Sequence, residues 1–242
     1  MANKPTSWSD FKTSLHDFVI LTFYVNPEKV SKLIPEGFEL YTVYFDNKRM
    51  GLGSLVSFTE DGLHLCGLPW FKFSFKQIDY RLYIKNKATG EVSILFIKTL
   101  SSSWLNFIPR LIWRLPWKSA DITLNNKNKT YHLISRSFKG EDYFFLTNTY
   151  VPVNHLPGFN SLTEGLHILT GLTKGYYRRS RLTIGYYEVW HSPIIPSVGV
   201  FVDGELKSLK KYLDKDLLVH SVLITPKVEF IAYMPPKKYK LP

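Results

Sequence analysis

Residues 75 to 85 read FKQIDYRLYIK, and this stretch restricts the fold more than any other in the chain. Its period of two predicts a β-strand. Ile78, Tyr80, Leu82 and Ile84 share one face, which a hydrophobic core must cover. Phe75, Gln77, Asp79, Arg81 and Tyr83 share the other. An amide, a carboxylate and a guanidinium between two aromatics have two destinations. They either form a solvated strand face or line a cavity in which they pair with one another or hold a ligand.

Strand-like runs recur along the chain. Residues 18–25 read as a buried strand, and 40–58 as a hairpin turning at Asp46-Asn47. Residues 92–100 are placed to pair with 75–85 across a glycine-containing turn. Further strands are expected at 119–124, 130–138, 142–150, 182–191, 198–202, 217–224 and 228–234. Helical signals are fewer. Residues 26–34 carry Asn26 as cap, Pro27 as first helical residue and Pro35 as stop. Residues 101–115 have helical spacing interrupted by Pro109; 160–171 end at Gly171; 204–215 complete the set. About ten short strands, three or four helices and no strand–helix alternation predict a mainly β, β-rich α+β chain, largely antiparallel. With no repeat and no low-complexity linker, one domain over 1–242 is expected. Aromatics at 16%, mostly in runs with Val, Ile and Thr, agree with strands.

A formal charge of +11 raises the question of a polyanionic partner. The cations are dispersed over short clusters at 125–129, 178–181, 207–211 and 235–240, and no nucleic-acid-binding motif accompanies them. A general cation excess is the reading, with no specific nucleic-acid partner. The one cysteine, Cys66, excludes an internal disulfide, suits a reducing compartment and reads as a small buried thiol. The first residues lack a signal-peptide layout, and no apolar run approaches the ~20 residues that span a bilayer. A cytoplasmic location is expected. Exposed strand edges leave room for a homo-oligomer.

Nucleotide, hydrolase and metalloprotease motifs are missing. The seven histidines, at 16, 64, 132, 155, 167, 191 and 220, show no ligand spacing, so neither a metal nor another cofactor is expected. The stretch WLNFIPRLIWRLPWK (104–118) interleaves aromatics with Arg110, Arg114 and Lys118 as interfacial helices do. Pro109 favours a packed core helix instead, so membrane contact is not expected.

Several segments, in order, carry a resemblance. LTFYVNPEKVSKLIPEGFEL is similar to a strand, a V-D-P turn with a short helix, then L-P-x-G-x-E-L. FSFKQIDYRLYIKN resembles F-x-E-x-N-x-R-x-Y-V; LPWKSADI resembles a G-L-P-Y element; YHLISRS resembles Y-x-S-x-R. GYYRRSRLTIGYYEVWHSP resembles G-Y, a hairpin, then V-E-H-P. Together, from about residue 18 to about 234, these resemble the YqjF-like family, the domain of unknown function 2071, in the acetoacetate-decarboxylase-like superfamily.

The resemblance implies a closed antiparallel β-barrel or cone, helices packed outside and an interior ligand pocket. It places Gln77 where the decarboxylases carry a glutamate facing that pocket, so that Gln77, Asp79 and Arg81 look inward. It implies a small-molecule partner, a carbonyl or carboxylate compound, held by Gln77, Asp79 and Arg81. Arg136 and Tyr176 are further candidates, with a surface ion pair and a core tyrosine as their alternatives. The decarboxylases use a paired-lysine element, G-F-P-K-K, whose first amine forms a Schiff base. Here Trp117 falls on that lysine and Lys118 on its neighbour. The resemblance thus implies a binding protein without intact decarboxylase machinery. The rival is an enzyme on a β-keto or enol substrate with Lys118, through a one-residue shift, or His191 as catalytic group. A peripheral membrane protein is a third reading.

Overall fold

The structure, a computed structural model, describes residues 4–137, 140–180, 183–213 and 217–240. The last residue of the expected strand 130–138, the first of 182–191, Arg181 of one basic cluster and residues 214–215 of the last expected helix lie outside them.

Among the described residues the strands are β1 (Phe11–Val25), β2 (Phe38–Leu40), β3 (Thr42–Phe45), β4 (Lys48–Leu65), β5 (Phe73–Asn86), β6 (Val92–Ser101) and β7 (Trp117–Ser119). They continue as β8 (Asp121–Lys127), β9 (Thr130–Ser137), β10 (Gly140–Pro152), β11 (Lys174–Arg178), β12 (Thr183–His191), β13 (Ser197–Leu206) and β14 (Leu218–Lys240). The α-helices are short: α1 (Pro27–Val30), α2 (Phe107–Trp113), α3 (Leu162–Thr170) and α4 (Lys207–Tyr212). The mainly β expectation holds.

Hydrogen bonding runs through β1, β4, β5, β6, β11, β12 and β14, and β14 pairs in turn with β1. The path therefore returns to its start. From β14 the sheet continues through β13, β10, β9 and β8. Two pairings, β6 with β11 and β6 with β7, are parallel, so the sheet is not antiparallel throughout.

Local chemistry explains the joints. Asn26 accepts the Glu28 amide at 3.0 Å and starts α1. Asp46 and Asn47 both have positive φ, as a two-residue hairpin turn between β3 and β4 requires. Asn86 Oδ1 accepts the amides of Ala88 and Thr89 and shapes the β5–β6 turn. The expected strands 217–224 and 228–234 are one long strand, β14. Pro226, which has no amide proton to give, lies opposite Asp17 between the pairs His16–Lys227 and Phe18–Thr225, and Asp17, at φ 52°, is where β1 shifts register against β4.

Both faces of β5 are buried. Ile78, Tyr80, Leu82 and Ile84 join one core with Leu124, Leu133, Phe144, Leu146 and Leu209, between the ring and the β8–β10 extension. A second core on the other side of the ring gathers Leu15, Phe18, Val56, Phe58, Tyr83 and Leu169. The first core holds one polar knot. Tyr80 donates its hydroxyl to Asp142, which also accepts the Ser208 amide at 2.6 Å in the first turn of α4. Both groups are buried, so each bond replaces water that neither could otherwise reach. Replacing Asp142 by Ala should cost about 3 kcal/mol in urea unfolding, because a buried hydroxyl and amide lose their acceptor. A change under about 1 kcal/mol would contradict that role.

Candidate functional site

The second core is hollow. A cavity of about 240 Å³ is lined by apolar side chains from β1, β4, β5, β6, β12, β14, α2 and the end of α3. Gln77, Asp79 and Arg81 are on its wall and only 6%, 7% and 8% exposed. The polar row of β5 faces the hollow rather than bulk water.

The row is wired differently from the expected Asp79–Arg81 pair. Asp79 Oδ1 accepts Thr99 Oγ1 at 2.7 Å, and Gln77 Nε2 donates to Asp79 Oδ1 and Oδ2 at 3.1 and 3.2 Å. Arg81 Nε donates to Ser54 Oγ at 2.8 Å, and Nη2 lies 3.4 Å from both Tyr83 Oη and the Leu169 carbonyl. Arg81 therefore acts on Asp79 as a nearby charge. With its amide nitrogen turned to Asp79, Gln77 presents Oε1, which has no protein partner.

Two groups that sequence reasoning missed complete the wall. Glu60 enters from β4, where Phe58 pairs with Gln77. Its Oε2 is buried without a protein partner. Burial pushes this carboxyl up to about 8, with the Asp79 charge adding to the effect. Asp79 is raised by burial to about 6, held down partly by Thr99, Gln77 and Arg81. Tyr187 on β12 stacks on Phe96 at 5.7 Å, and burial followed by the Asp79 charge drives its hydroxyl upward. The only sequence signal for Glu60 is the alternation Val56, Phe58, Glu60 continuing the inward row.

The remaining candidates separate. His191 lines the cavity; its Nδ1 is 2.8 Å from the Ser192 carbonyl, so that nitrogen carries the proton, and Nε2 is buried with no protein partner. Lys118 does not reach the site. It is exposed, because Trp117 takes the inward position on β7, with its ring 6.4 Å from Phe75. Arg136 also lies outside: it is bonded to Glu141 at 2.6 Å on the surface hairpin β9–β10. Tyr176 packs on Phe38, Tyr186 and Tyr239 in the first core, while its neighbour Gly175 faces the cavity. Its surface and core alternatives are thus the observed ones for Arg136 and Tyr176. Lys174 touches the wall, but its amine is bonded to Glu91 at 2.7 Å. Among the described residues, no three His, Cys, Asp or Glu side chains gather as a metal site.

Segment 104–118 needs the largest correction. Rather than a core helix, α2 and the turn before it cap the cavity from outside. Leu105, Pro109 and Trp113 face in, Ile108 touches the cavity while 37% exposed, and Trp104, Phe107, Leu111 and Ile112 are exposed. The cap is tied down by Tyr177, whose hydroxyl donates to the Trp113 carbonyl at 2.9 Å. Tyr177 lies so close to Gly185 that a Cβ there would sit 2.4 Å from its ring.

Family comparison agrees with this architecture. Residues 12–205 match the model of DUF2071, described as an uncharacterized conserved protein. The chain belongs to the DUF2071 family. Among solved structures it is similar to acetoacetate decarboxylase from Legionella pneumophila, at 10% identity and TM-score 0.67, covering 99% of this chain and 90% of that one. An acetoacetate decarboxylase-like enzyme from Sphingomonas wittichii gives 10% identity and TM-score 0.69, covering 98% and 95%. The enduracididine biosynthesis enzyme MppR complexed with pyruvate gives 14% and 0.65, covering 98% and 91%. At these identities the likeness is one of fold. No curated protein matches the sequence.

The raised carboxyls make stability depend on pH. Glu60 in the unfolded chain ionises near 4.5, but in the fold it keeps its proton to about 8. Asp79 behaves likewise between 3.8 and about 6. Across these windows the folded state binds more protons than the unfolded one, so stability falls as pH rises. Glu60→Gln should flatten the loss between about pH 5 and about pH 8 by a few kcal/mol in urea unfolding. An unchanged slope would contradict the burial of an ionisable Glu60.

Proposed function

We propose that this protein binds a small carbonyl compound with an apolar body in the cavity, without a lysine Schiff base. The ring of strands is taken here as the closed barrel of the acetoacetate-decarboxylase type. One observation carries the reading: Glu60 Oε2, Gln77 Oε1 and His191 Nε2 are buried polar atoms without protein partners on the wall of one apolar hollow. Each such atom left unpaired costs about 1–3 kcal/mol, which a ligand's polar atoms would offset. Near neutral pH Glu60 is a protonated acid and donates to a carbonyl oxygen. Gln77 Oε1 accepts a donor on the same ligand, and the aromatic and aliphatic walls hold its body.

A neutral carbonyl suits the site better than a carboxylate. Arg81 is engaged by Ser54, Tyr83 and Leu169, Lys174 by Glu91, and Arg136 by Glu141 outside. With Trp117 in the inward position, no lysine amine of β7 is placed to attack the ligand. MppR, similar in fold, is described as complexed with pyruvate, which supports the ligand class without extending its chemistry to this chain.

One arrangement favours a second reading, an enzyme of keto–enol proton transfer. The carboxyls of Glu60 and Asp79 act on each other and straddle neutrality, at about 8 and about 6. One is then an acid and the other a base at the same pH, which enolisation of a ketone requires. Asp79 takes the α-proton and Glu60 donates to the carbonyl oxygen.

Ligand-observed NMR with acetoacetate, pyruvate and 1-hydroxy-2-heptanone, a neutral ketone whose hydroxyl can donate to Gln77 Oε1, tests both readings. The neutral ketone should bind best, and Glu60→Leu and Gln77→Leu should each weaken it about tenfold, or about 1.4 kcal/mol. Binding that ignores both variants, or none by any probe, would overturn the proposal. Borohydride should trap no lysine adduct; an adduct would contradict the absence of Schiff-base chemistry. Deuterium exchange at the ketone's α-carbon, lost in Asp79→Asn, is the outcome expected of the enzyme.

A further inference from the structure

One end of the ring collects features that ligand binding leaves unexplained. The first residues of β1 and β5 and the last of β4 and β6 meet there, as the pairings Phe11–Leu65, Leu63–Phe73 and Gln77–Ser101 show. Three segments cluster around it: the N-terminal stretch, residues 66–72 and α2 with its preceding turn. The Gly67 amide donates to the Trp8 carbonyl at 2.9 Å. Phe71 meets Phe73 edge-on at 4.5 Å, and Phe11 meets Trp113 at 6.2 Å. Phe11, Phe73 and Trp113 are also cavity wall.

The outer surface of these segments is apolar. Trp8, Trp70, Trp104 and Leu111 are 73%, 77%, 77% and 72% exposed, beside exposed Phe71, Phe107 and Ile112. Three of the chain's six tryptophans thus stand in solvent at one end of the molecule. Scattered apolar residues on a surface are ordinary; a cluster over the cap of a cavity marks a contact surface. The charge on two of these segments has one sign, while Asp10 of the N-terminal stretch is buried and Asp61 at the end of β4 accepts Ser74 Oγ at 2.8 Å. Residues 66–78 and 101–120 contain Lys72, Lys76, Arg110, Arg114 and Lys118 and no Asp or Glu.

We infer that this end docks on an anionic lipid bilayer surface, with α2 and residues 68–71 in the interface and the capped end of the cavity facing the lipid. Tryptophan prefers the bilayer boundary, where its ring is apolar and its indole N–H stays wet. Arginine and lysine beside it reach the headgroup phosphates while their stems cover apolar surface. An acidic protein partner would meet the five cations but would leave the tryptophans without lipid tails. The occupant is therefore a membrane surface, reached by lying on it: no helix among the described residues is long and apolar enough to cross one.

Vesicle co-sedimentation tests this with the full chain. With vesicles holding about 30% phosphatidylserine the protein should pellet, and with phosphatidylcholine alone it should not. The double substitution Arg110→Glu and Arg114→Glu should lower the partition at least about tenfold. Trp104→Ser and Trp70→Ser, both on exposed side chains, should each lower it several-fold while leaving thermal unfolding unchanged. Wild-type tryptophan emission should shift to the blue on the anionic vesicles. No pelleting with either composition, equal pelleting with both, or variants that bind like the wild type would overturn the inference. So would self-association through this face, seen in sedimentation velocity and abolished by Trp104→Ser, in place of vesicle binding.

Discussion

The desolvation of two carboxyl groups inside an apolar hollow governs the character of this protein. A strand with one apolar and one polar face ordinarily packs the first and wets the second. β5 packs both. Its apolar row joins the core beneath the β8–β10 extension, and its polar row is roofed by β1, β12, β14 and α2. Water cannot then satisfy Gln77 and Asp79, so they bond to each other and to Thr99, and Glu60 keeps its proton.

The same constraint accounts for chemistry without a reactive lysine. An amine turned inward on β7 would place a cation beside Asp79 and Arg81 in a low-dielectric space. Trp117 stands there instead, and the next residue, Lys118, alternates outward. What the hollow retains is hydrogen-bonding capacity: one protonated acid, one amide oxygen, one imidazole lone pair. These suit recognition of a neutral polar group on an apolar body. The outer surface around the cap continues the theme, since its exposed tryptophans and cations match a boundary between hydrocarbon and charged headgroups.

Much of this fold is legible along the chain because its signals are local. The alternation of β5, the Asn26 cap and the Asp46-Asn47 turn depend on neighbours within a few residues, and each is found where the sequence places it. The single long β14 is less legible, because it runs on through Pro226, which lies opposite Asp17 while the pairing with β1 keeps its register on both sides. The site is legible only in part. Gln77, Asp79 and Arg81 announce themselves as a row, whereas Glu60 and Tyr187 become neighbours only through pairings from distant segments. Arg136 and Tyr176 illustrate the converse: each matches a motif in one dimension, yet strand alternation turns the first to a surface partner and the second into the core. For 104–118, Pro109 suggested a packed core helix; the chain instead leaves much of that surface open.

Direct titration of the carboxyl carbons by ¹³C NMR tests the central claim, that this polar row is enclosed by apolar walls. The Glu60 resonance should move with a midpoint near 8 and the Asp79 resonance near 6. Midpoints at the ordinary 4.5 and 3.8 would mean that both groups meet bulk water, and the enclosed site would not exist.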